Sequence, residues 1–206
     1  MTILTLSAAV LASALGAGPL PSPICESGAQ VLEADLATST IKWKGTKYWG
    51  LRSHEGTVAL HSGTVCVRNN RIVRAHFVAD MRTIDVTDIP AHDPVPRRNL
   101  RNHLLGEDFF HVAEHPEAQL TILRVEPENR SLSLVHARLE MRGVTHDIRF
   151  FARISRLSSN EIVAEARFAI DRQRWGIRYL RSALREDLVD DEFWLDLRLR
   201  ATAPER

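Results

Sequence analysis

The sequence has almost no excess of either charge, and it lacks the short motifs of several common enzyme classes. Its 206 residues include 27 Lys and Arg against 26 Asp and Glu, which gives a formal net charge of +1. A chain so close to neutrality has no electrostatic footprint for nucleic acid, so a general DNA or RNA binder is disfavoured. The G-x-S-x-G elbow, the phosphate-binding loop and the dinucleotide fingerprint are missing, so no motif supports an enzyme and no cofactor is expected.

Cysteine is also scarce, with only Cys25 and Cys66 in the chain. Two cysteines are too few for a small scaffold that depends on disulfides instead of a core. Hydrophobic residues make up 44% of the chain, which is sufficient for the core of an ordinary domain. The cysteines are interpreted either as one disulfide of an exported protein or as two free thiols, and the sequence leaves both open.

Charge is absent from the first 25 residues, and Glu26 is the first charged side chain. An apolar stretch over residues 3–17 is followed by a segment rich in Pro and Gly, which is typical of a secretory signal. We therefore expect a signal peptide at 1–17, a linker at 18–37 and a periplasmic or secreted protein. No basic residue precedes the stretch, so either the signal is atypical or the true start lies upstream. A buried N-terminal helix is the alternative. No later segment is apolar over the ~20 residues that a membrane-spanning helix needs.

After residue 38 the dominant pattern is an alternation of apolar and polar residues. Phe77 shares one face of its segment with apolar residues at every second position, whereas Arg74, His76 and Asp80 share the other face. A period of two indicates a β-strand with one buried and one exposed face. The alternation is also strong around 41–46, 144–154, 162–171 and 193–200, and weaker strands are expected at 55–60, 63–68, 119–126 and 131–141.

Eight or nine short strands with few helices predict an all-β protein. We expect residues 38–202 to form one antiparallel barrel, which can either fill itself with side chains or enclose one ligand. The exception is a long, proline-punctuated stretch with a short helical excursion around residues 99–117. Asn99 is predicted to cap a helix over 100–105. A loop of this length inside a small barrel is typical of a lid or a ligand-binding wall.

Short motifs follow one another in a recognisable order along the chain after residue 38. They are Tyr48-Trp49-Gly50, His54-Glu55-Gly56, Phe77 to Asp85, Leu100 to Leu104, Asp108-Phe109-Phe110, His115-Pro116-Glu117-Ala118, Leu139 to Thr145, and Phe168 to Arg172 ahead of Trp175-Gly176-Ile177. In their order and spacing these motifs resemble the YceI-like family of exported polyisoprenoid-binding proteins. The resemblance implies an extended, lipocalin-like barrel of eight antiparallel strands.

The resemblance also implies that the barrel interior sequesters a long isoprenoid lipid, such as a polyprenyl phosphate or a quinone, and performs no catalysis. The expected lining residues are Trp43, Phe77, Leu100, Leu104, Phe109, Phe110, Phe150 and Phe168. Arg97, Arg98 and Arg101 would meet a phosphate head group, because a guanidinium matches phosphate geometry. Both a monomer and a homodimer are compatible with the sequence.

One histidine motif has another interpretation. His111, Glu114 and His115 match the H-x-x-E-H pattern of inverted zinc peptidases. Pro116 follows at once and leaves no helix for the motif to lie in, so we favour a surface turn and expect no metal. The acidic loop at 85–93 fits no calcium-binding template and is interpreted as a solvated loop.

Two other functions remain as alternatives to a lipid carrier. One is a barrel enzyme that acts on a small lipid or amide, with His54 or His103 as the base. The other is a ligand-free structural protein with a packed interior. Polar groups clustered inside the barrel would favour the enzyme, and a continuous apolar interior would favour the carrier.

Overall fold

The computed structural model describes residues 25–179 and 189–204. The expected signal peptide at 1–17, and the part of the expected linker before residue 25, lie outside the described residues. The described chain contains β1 (Gln30–Ala34), β2 (Thr40–Lys47), β3 (Arg52–Arg68), β4 (Arg71–Val86), α1 (Pro94–Leu105), β5 (Glu117–Pro127), β6 (Ser133–Met141), β7 (Val144–Ser158), β8 (Glu161–Asp171) and β9 (Val189–Thr202).

The strands form one closed antiparallel sheet. From β2 to β9 each strand pairs with the next along the chain, and β2 pairs with β9 to close the barrel. The remaining strand, β1, pairs with the far half of β3 and with the end of β9. β1 and β2 therefore lie one after the other between β3 and β9, and each pairs with both of these strands. The expected eight-stranded antiparallel barrel is confirmed, with β1 as an additional strand.

The strand β1 lies within residues 18–37, so the expectation of a linker over this whole range is wrong. Of its five residues only Leu32 is fully buried, so the strand shows no apolar alternation that could be detected. The two weak strands expected at 55–60 and 63–68 are one long strand, β3. Its pairing with β4 shifts register between Leu60 and Ser62, and this bulge interrupts the alternation.

Two hairpins turn through two-residue loops with left-handed backbone. Asn69 and Asn70 have φ of 50° and 65°, and Arg142 and Gly143 have φ of 53° and 69°. Positive φ at both central residues is the type I′ geometry, whose twist matches that of the flanking strands. Asn and Gly tolerate this conformation at low cost, so these turns set the register of β3 with β4 and of β6 with β7.

The helix α1 begins at Pro94, five residues before the expected cap at Asn99. Pro94 and Pro96 occupy the first turn, where a backbone N–H has no partner within the helix and its loss costs nothing. Pro94 and Pro96, which the sequence suggested belong to a loop, therefore form the first turn of the helix. It ends before Gly106, whose N–H donates to the carbonyls of Asn102 and His103.

The barrel has two different ends. One end carries α1 and the loop from β2 to β3, and we call it the helix end. The other carries the tight turn after β3 and the turns that follow β5 and β7, and we call it the hairpin end. A disulfide joins Cys25 to Cys66 at the hairpin end and fixes the chain before β1 onto β3, with Cα atoms 5.4 Å apart.

The last of the recognised sequence motifs is structural. Arg172 is buried, and its guanidinium donates to the carbonyls of Asp190, Ile177 and Val189 at 3.0, 2.9 and 3.1 Å. Trp175 is fully buried, and its indole N–H donates to the carbonyl of Leu139. A buried guanidinium needs such partners, because an unpaired buried charge is costly. The motif therefore fastens the start of β9 to the barrel.

Candidate functional site

The barrel interior at the helix end contains a cavity of about 90 Å³, which we call the helix-end cavity. Inward-facing side chains of β2, β3, β4 and β9 form most of its wall, as the alternation in these strands predicts. Phe110, from the segment after α1, completes the wall. The lining residues are Ile41, Trp43, Val58, Leu60, Phe77, Ala79, Met81, Ile84, Phe110, Ala118, Leu120, Leu139, Met141, Phe168, Phe193, Leu195, Leu197 and Leu199.

A second cavity, the hairpin-end cavity, has a volume of about 60 Å³. It is lined by Val65, Ile72, Ala75, Phe77, Leu120, Ile122, Val125, Val135, Phe150, Ala152, Ile154, Ile162, Ala164, Ala166, Leu197, Leu199 and Ala201. Phe77, Leu120, Leu197 and Leu199 belong to both walls. These four side chains are a partition between the two cavities, and together the cavities follow the barrel along its length.

Aromatic packing supports the partition. The ring of Phe77 lies against the bare backbone of Gly63, where an added Cβ would come within 2.6 Å of the ring. Phe168 of the helix-end cavity and Phe150 of the hairpin-end cavity also stack on each other, with ring centroids 4.2 Å apart. The partition therefore consists of side chains alone, and side chains can change rotamer without any change in the backbone of the barrel.

The walls of both cavities offer no charge to a ligand. Every described residue that lines them is apolar. Trp43 is the tryptophan among these lining residues, and its Nε1–H donates to the carbonyl of Asp85 at 3.2 Å. The interior can therefore exclude water from an apolar molecule, but it has no described group that could act as a general acid or base in the cavities.

The structure places five of the eight expected lining residues in the cavity walls. Trp43, Phe77, Phe110 and Phe168 line the helix-end cavity, and Phe77 and Phe150 line the hairpin-end cavity. The other three, Leu100, Leu104 and Phe109, are not among the lining residues.

The helix residues lie behind the wall instead of in it. Leu104 is buried against Val58, Met81 and Ile84, which are themselves lining residues, and Leu100 and Phe109 pack against the same cluster. α1 therefore supports the wall of the helix-end cavity from outside.

Two of the three arginines expected at a head group are engaged by the protein. Arg97 pairs with the carboxylate of Asp85. Arg101 donates two hydrogen bonds of 2.8 Å, one to the carbonyl of Ile84 and one to that of Arg82. Burial disfavours the ionised form of Asp85, but the Arg97 hydrogen bond, a backbone N–H and the two guanidinium charges outweigh it and lower the pKa of Asp85. These arginines fasten α1 to β4. Arg98 is exposed.

The residues of the enzyme alternative lie outside both cavities. His54 hydrogen-bonds through Nδ1 to the carboxylate of Asp88 at 2.8 Å, and Asp88 also accepts the N–H of Glu55. His103 packs edge-on against Phe109 and Tyr179, with ring centroids 5.0 and 4.4 Å away. The acidic loop therefore holds β3 to the segment after β4, and neither histidine faces the apolar interior.

Sequence reasoning missed several lining residues that carry the same signal as Phe77. Met81 lies on the same face of β4, and Leu195, Leu197 and Leu199 alternate along β9. The period of two marks all of them as inward. The expected lining residues on the strands were all aromatic, so these aliphatic positions were not among them.

A closed antiparallel barrel with an apolar interior belongs to the class of folds that can enclose one apolar ligand. The model of the YceI-like domain matches residues 32–201, so the chain belongs to this family. Comparison with curated protein sequences returned no match. Among the described residues, no helix combines the length and the hydropathy that a membrane-spanning segment requires.

Solved structures share the fold at low sequence identity. BcnA of Burkholderia cenocepacia is 15% identical, with a TM-score of 0.64 over 82% of this chain and 99% of that one. A polyisoprenoid binding domain from Saccharophagus degradans is 20% identical, with a TM-score of 0.63 over 84% and 98%. The YCEI protein of Campylobacter jejuni is 18% identical, with a TM-score of 0.52 over 66% and 75%.

Proposed function

We propose that this protein is an exported carrier that sequesters a long isoprenoid chain, as a polyprenyl phosphate or a quinone, inside the barrel. The observation that carries the proposal is the pair of cavities along the barrel, both lined by apolar side chains. Family membership supports it, as does the fold shared with a polyisoprenoid binding domain of Saccharophagus degradans.

The size of the cavities sets a condition on how such a ligand binds. At about 90 and 60 Å³, each is smaller than the ~150 Å³ cavity that holds a benzene molecule in an engineered protein. A chain of several isoprene units therefore fits only if the partition opens. Phe77, which has the largest side chain of the four partition residues, must take another rotamer so that the two cavities become one tunnel.

The energy of burial is sufficient for this rearrangement. Each methylene removed from water contributes about 0.8 kcal/mol, so an isoprene chain of many carbons recovers several kcal/mol before ordering costs. One off-rotamer side chain costs about 0.5–1.5 kcal/mol. A long tail can therefore open the partition, whereas a short apolar molecule gains too little to do so.

A charged head group would remain at the helix end, outside the apolar walls, because a buried unpaired charge is costly. Of the three arginines there, Arg98 is the one whose exposed guanidinium is suited to a phosphate. Arg97 and Arg101 would have to give up their bonds to Asp85 and to β4. We therefore assign any head-group contact to Arg98 first.

Export is part of the proposal. The Cys25–Cys66 disulfide is of the kind that persists in oxidising compartments, such as the periplasm or the exterior of the cell. The charge-free, apolar start of the sequence supports the same location.

The experiment that tests the proposal compares two alanines on opposite faces of the wall. Ala79 lines the helix-end cavity, and Ala59 is exposed on the neighbouring strand, where it pairs with Asp80. In Ala79→Phe the new ring fills the cavity, whereas in Ala59→Phe the same ring points into solvent. Each protein is purified without detergent, and its lipids are extracted and identified by mass spectrometry.

Wild-type protein and Ala59→Phe should carry a long-chain isoprenoid at similar occupancy, and Ala79→Phe should lose most of it while keeping the circular dichroism of a β-barrel. A wild-type protein without lipid that also fails to take up a long-chain polyprenyl phosphate or quinone would contradict the proposal. Equal occupancy in a folded Ala79→Phe would show that the ligand binds elsewhere.

A further inference from the structure

The segment between α1 and β5 forms a compact turn that brings three metal-ligating side chains together. Its backbone N–H groups donate within the segment: His111 to Gly106 at 2.8 Å, Glu114 to His111 at 3.0 Å, and His115 to His111 at 2.9 Å. His111 has a left-handed φ of 48°. The H-x-x-E-H motif thus lies in a turn rather than in the middle of a helix, and Pro116 is no obstacle to it.

The ligand atoms of this turn converge. Nδ1 of His111 is 3.1 Å from Oε2 of Glu114, and Nε2 of His115 is 3.9 Å from the same oxygen. One ligand atom from each of the three side chains lies within 4.8 Å of the other two. Tetrahedral zinc with bonds of about 2.0–2.1 Å holds its ligand atoms roughly 3.3 Å apart. Small side-chain rotations are therefore sufficient to bring the three atoms onto one ion.

We propose that His111, Glu114 and His115 form a Zn²⁺ site on the surface of this turn. Two imidazoles and one carboxylate are donors that zinc prefers, and they leave a fourth position for water. The site is independent of the lipid-binding proposal, since none of the three residues lines either cavity.

The surroundings of each histidine fit this role. Nε2 of His111, on the side of the ring away from Glu114, is 3.9 Å from a carboxylate oxygen of Glu107. This is longer than a hydrogen bond, but rotation of the exposed Glu107 side chain would bring its carboxylate onto the imidazole N–H, a contact that fixes the ring tautomer of a metal-binding histidine. The ring of His115 packs against Gly143, where an added Cβ would come within 2.8 Å of Cε1. The Gly143 backbone therefore bounds one side of the His115 ring and limits the directions in which it can turn.

Zinc binding would stabilise the segment that completes the cavity wall. Val112, in the same turn, is buried in the cluster that contains Leu104, and Phe110, just before it, lines the helix-end cavity. An ion that binds only the folded turn raises the stability of the fold by mass action. Zinc should therefore raise the unfolding temperature of the protein.

Isothermal titration of the tag-free, disulfide-bonded chain with zinc chloride tests the site. Glu114→Gln changes an exposed side chain and should leave the fold intact, and His115→Gln removes one imidazole. His92→Gln, in the exposed loop before α1, is the matched control. Wild-type protein and His92→Gln should bind one ion, and each of the other two variants should bind at least about tenfold more weakly.

Thermal unfolding gives the second readout. Zinc should raise the midpoint of wild type and of His92→Gln, and should leave the midpoint of His115→Gln nearly unchanged. Wild-type protein that binds no stoichiometric zinc overturns the proposal. Zinc binding that is equal in wild type, Glu114→Gln and His115→Gln also overturns it, because the ion then lies on other residues. Neither result bears on lipid binding.

Discussion

Removing the aromatic ring of Phe77 should join the two cavities of the barrel. Phe77 is 8% exposed and lines both cavities, so Phe77→Ala replaces a large part of the partition with empty space. Replacing a buried Phe by Ala lowers the free energy of unfolding by about 3–5 kcal/mol, because the lost packing contacts and the cavity left behind both destabilise the fold. At about 2–4 °C per kcal/mol in a domain of this size, the unfolding midpoint should fall by roughly 10 °C.

Although Phe77→Ala is less stable without ligand, a bound ligand should stabilise it more than it stabilises the wild type. In the wild type a long-chain ligand must displace the Phe77 ring, and in Phe77→Ala the tunnel is already open. Addition of a long-chain polyprenyl phosphate or quinone should therefore raise the midpoint of Phe77→Ala by more degrees than that of the wild type. At a free ligand concentration of one hundred times Kd the stabilisation is about 2.7 kcal/mol, which calorimetry resolves easily.

A control variant shows whether a larger response to ligand comes from an open tunnel or from a general loss of stability. Leu32 is fully buried and lines neither cavity, so Leu32→Ala should lower the midpoint by a comparable amount and respond to ligand as the wild type does. Phe77→Leu is the milder variant, should Phe77→Ala not fold. If folded Phe77 variants gain no more from ligand than Leu32→Ala, the partition does not limit binding and the reasoning is wrong.

Three further predictions concern stability. Arg101→Ala removes two hydrogen bonds from a guanidinium to β4 and should lower the free energy of unfolding by about 2 kcal/mol, measured in urea, with Arg98→Ala nearly neutral. Replacing Cys25 and Cys66 together by Ser opens a covalent loop spanning 41 positions and should cost about 4 kcal/mol in the chain-entropy model; a loss below about 1 kcal/mol would contradict that model here. Burial of His76 lowers its pKa, partly opposed by nearby Glu side chains. As the pH falls, the imidazole of His76 is therefore protonated more readily in the unfolded state than in the folded state. The stabilisation that is present above the ordinary pKa of about 6.5 is lost in more acid solution. His76→Gln should accordingly lose less stability than the wild type between about pH 7.5 and pH 5, and parallel curves would refute this.

The barrel and most of its inner wall could be predicted because a strand allows a side chain only two directions. Once Phe77, Phe150 and Phe168 were placed on the apolar faces of their strands, their inward orientation followed from parity. β1 could not be found in this way, because a five-residue strand with one fully buried residue has no visible period.

A helix near residue 100 was predicted, but its packing and the partners of its arginines could not be, because they depend on contacts between distant parts of the chain. The spacing of Leu100 and Leu104 correctly puts them on one face, but it does not say whether that face lines a cavity or packs behind the residues that do. Similarly, Arg97 and Arg101 look available in the sequence. Only the fold brings them against Asp85 and the end of β4.

Whether an isoprenoid tail occupies the barrel interior across the partition can be seen in a crystal structure of the protein saturated with a long-chain polyprenyl phosphate or quinone. We expect continuous ligand density from beside Phe110 to beside Ile162, with the Phe77 ring turned to another rotamer and the backbone of the barrel unchanged. A ligand bound on the outer surface, with Phe77 in place and both cavities still separate, would contradict this expectation.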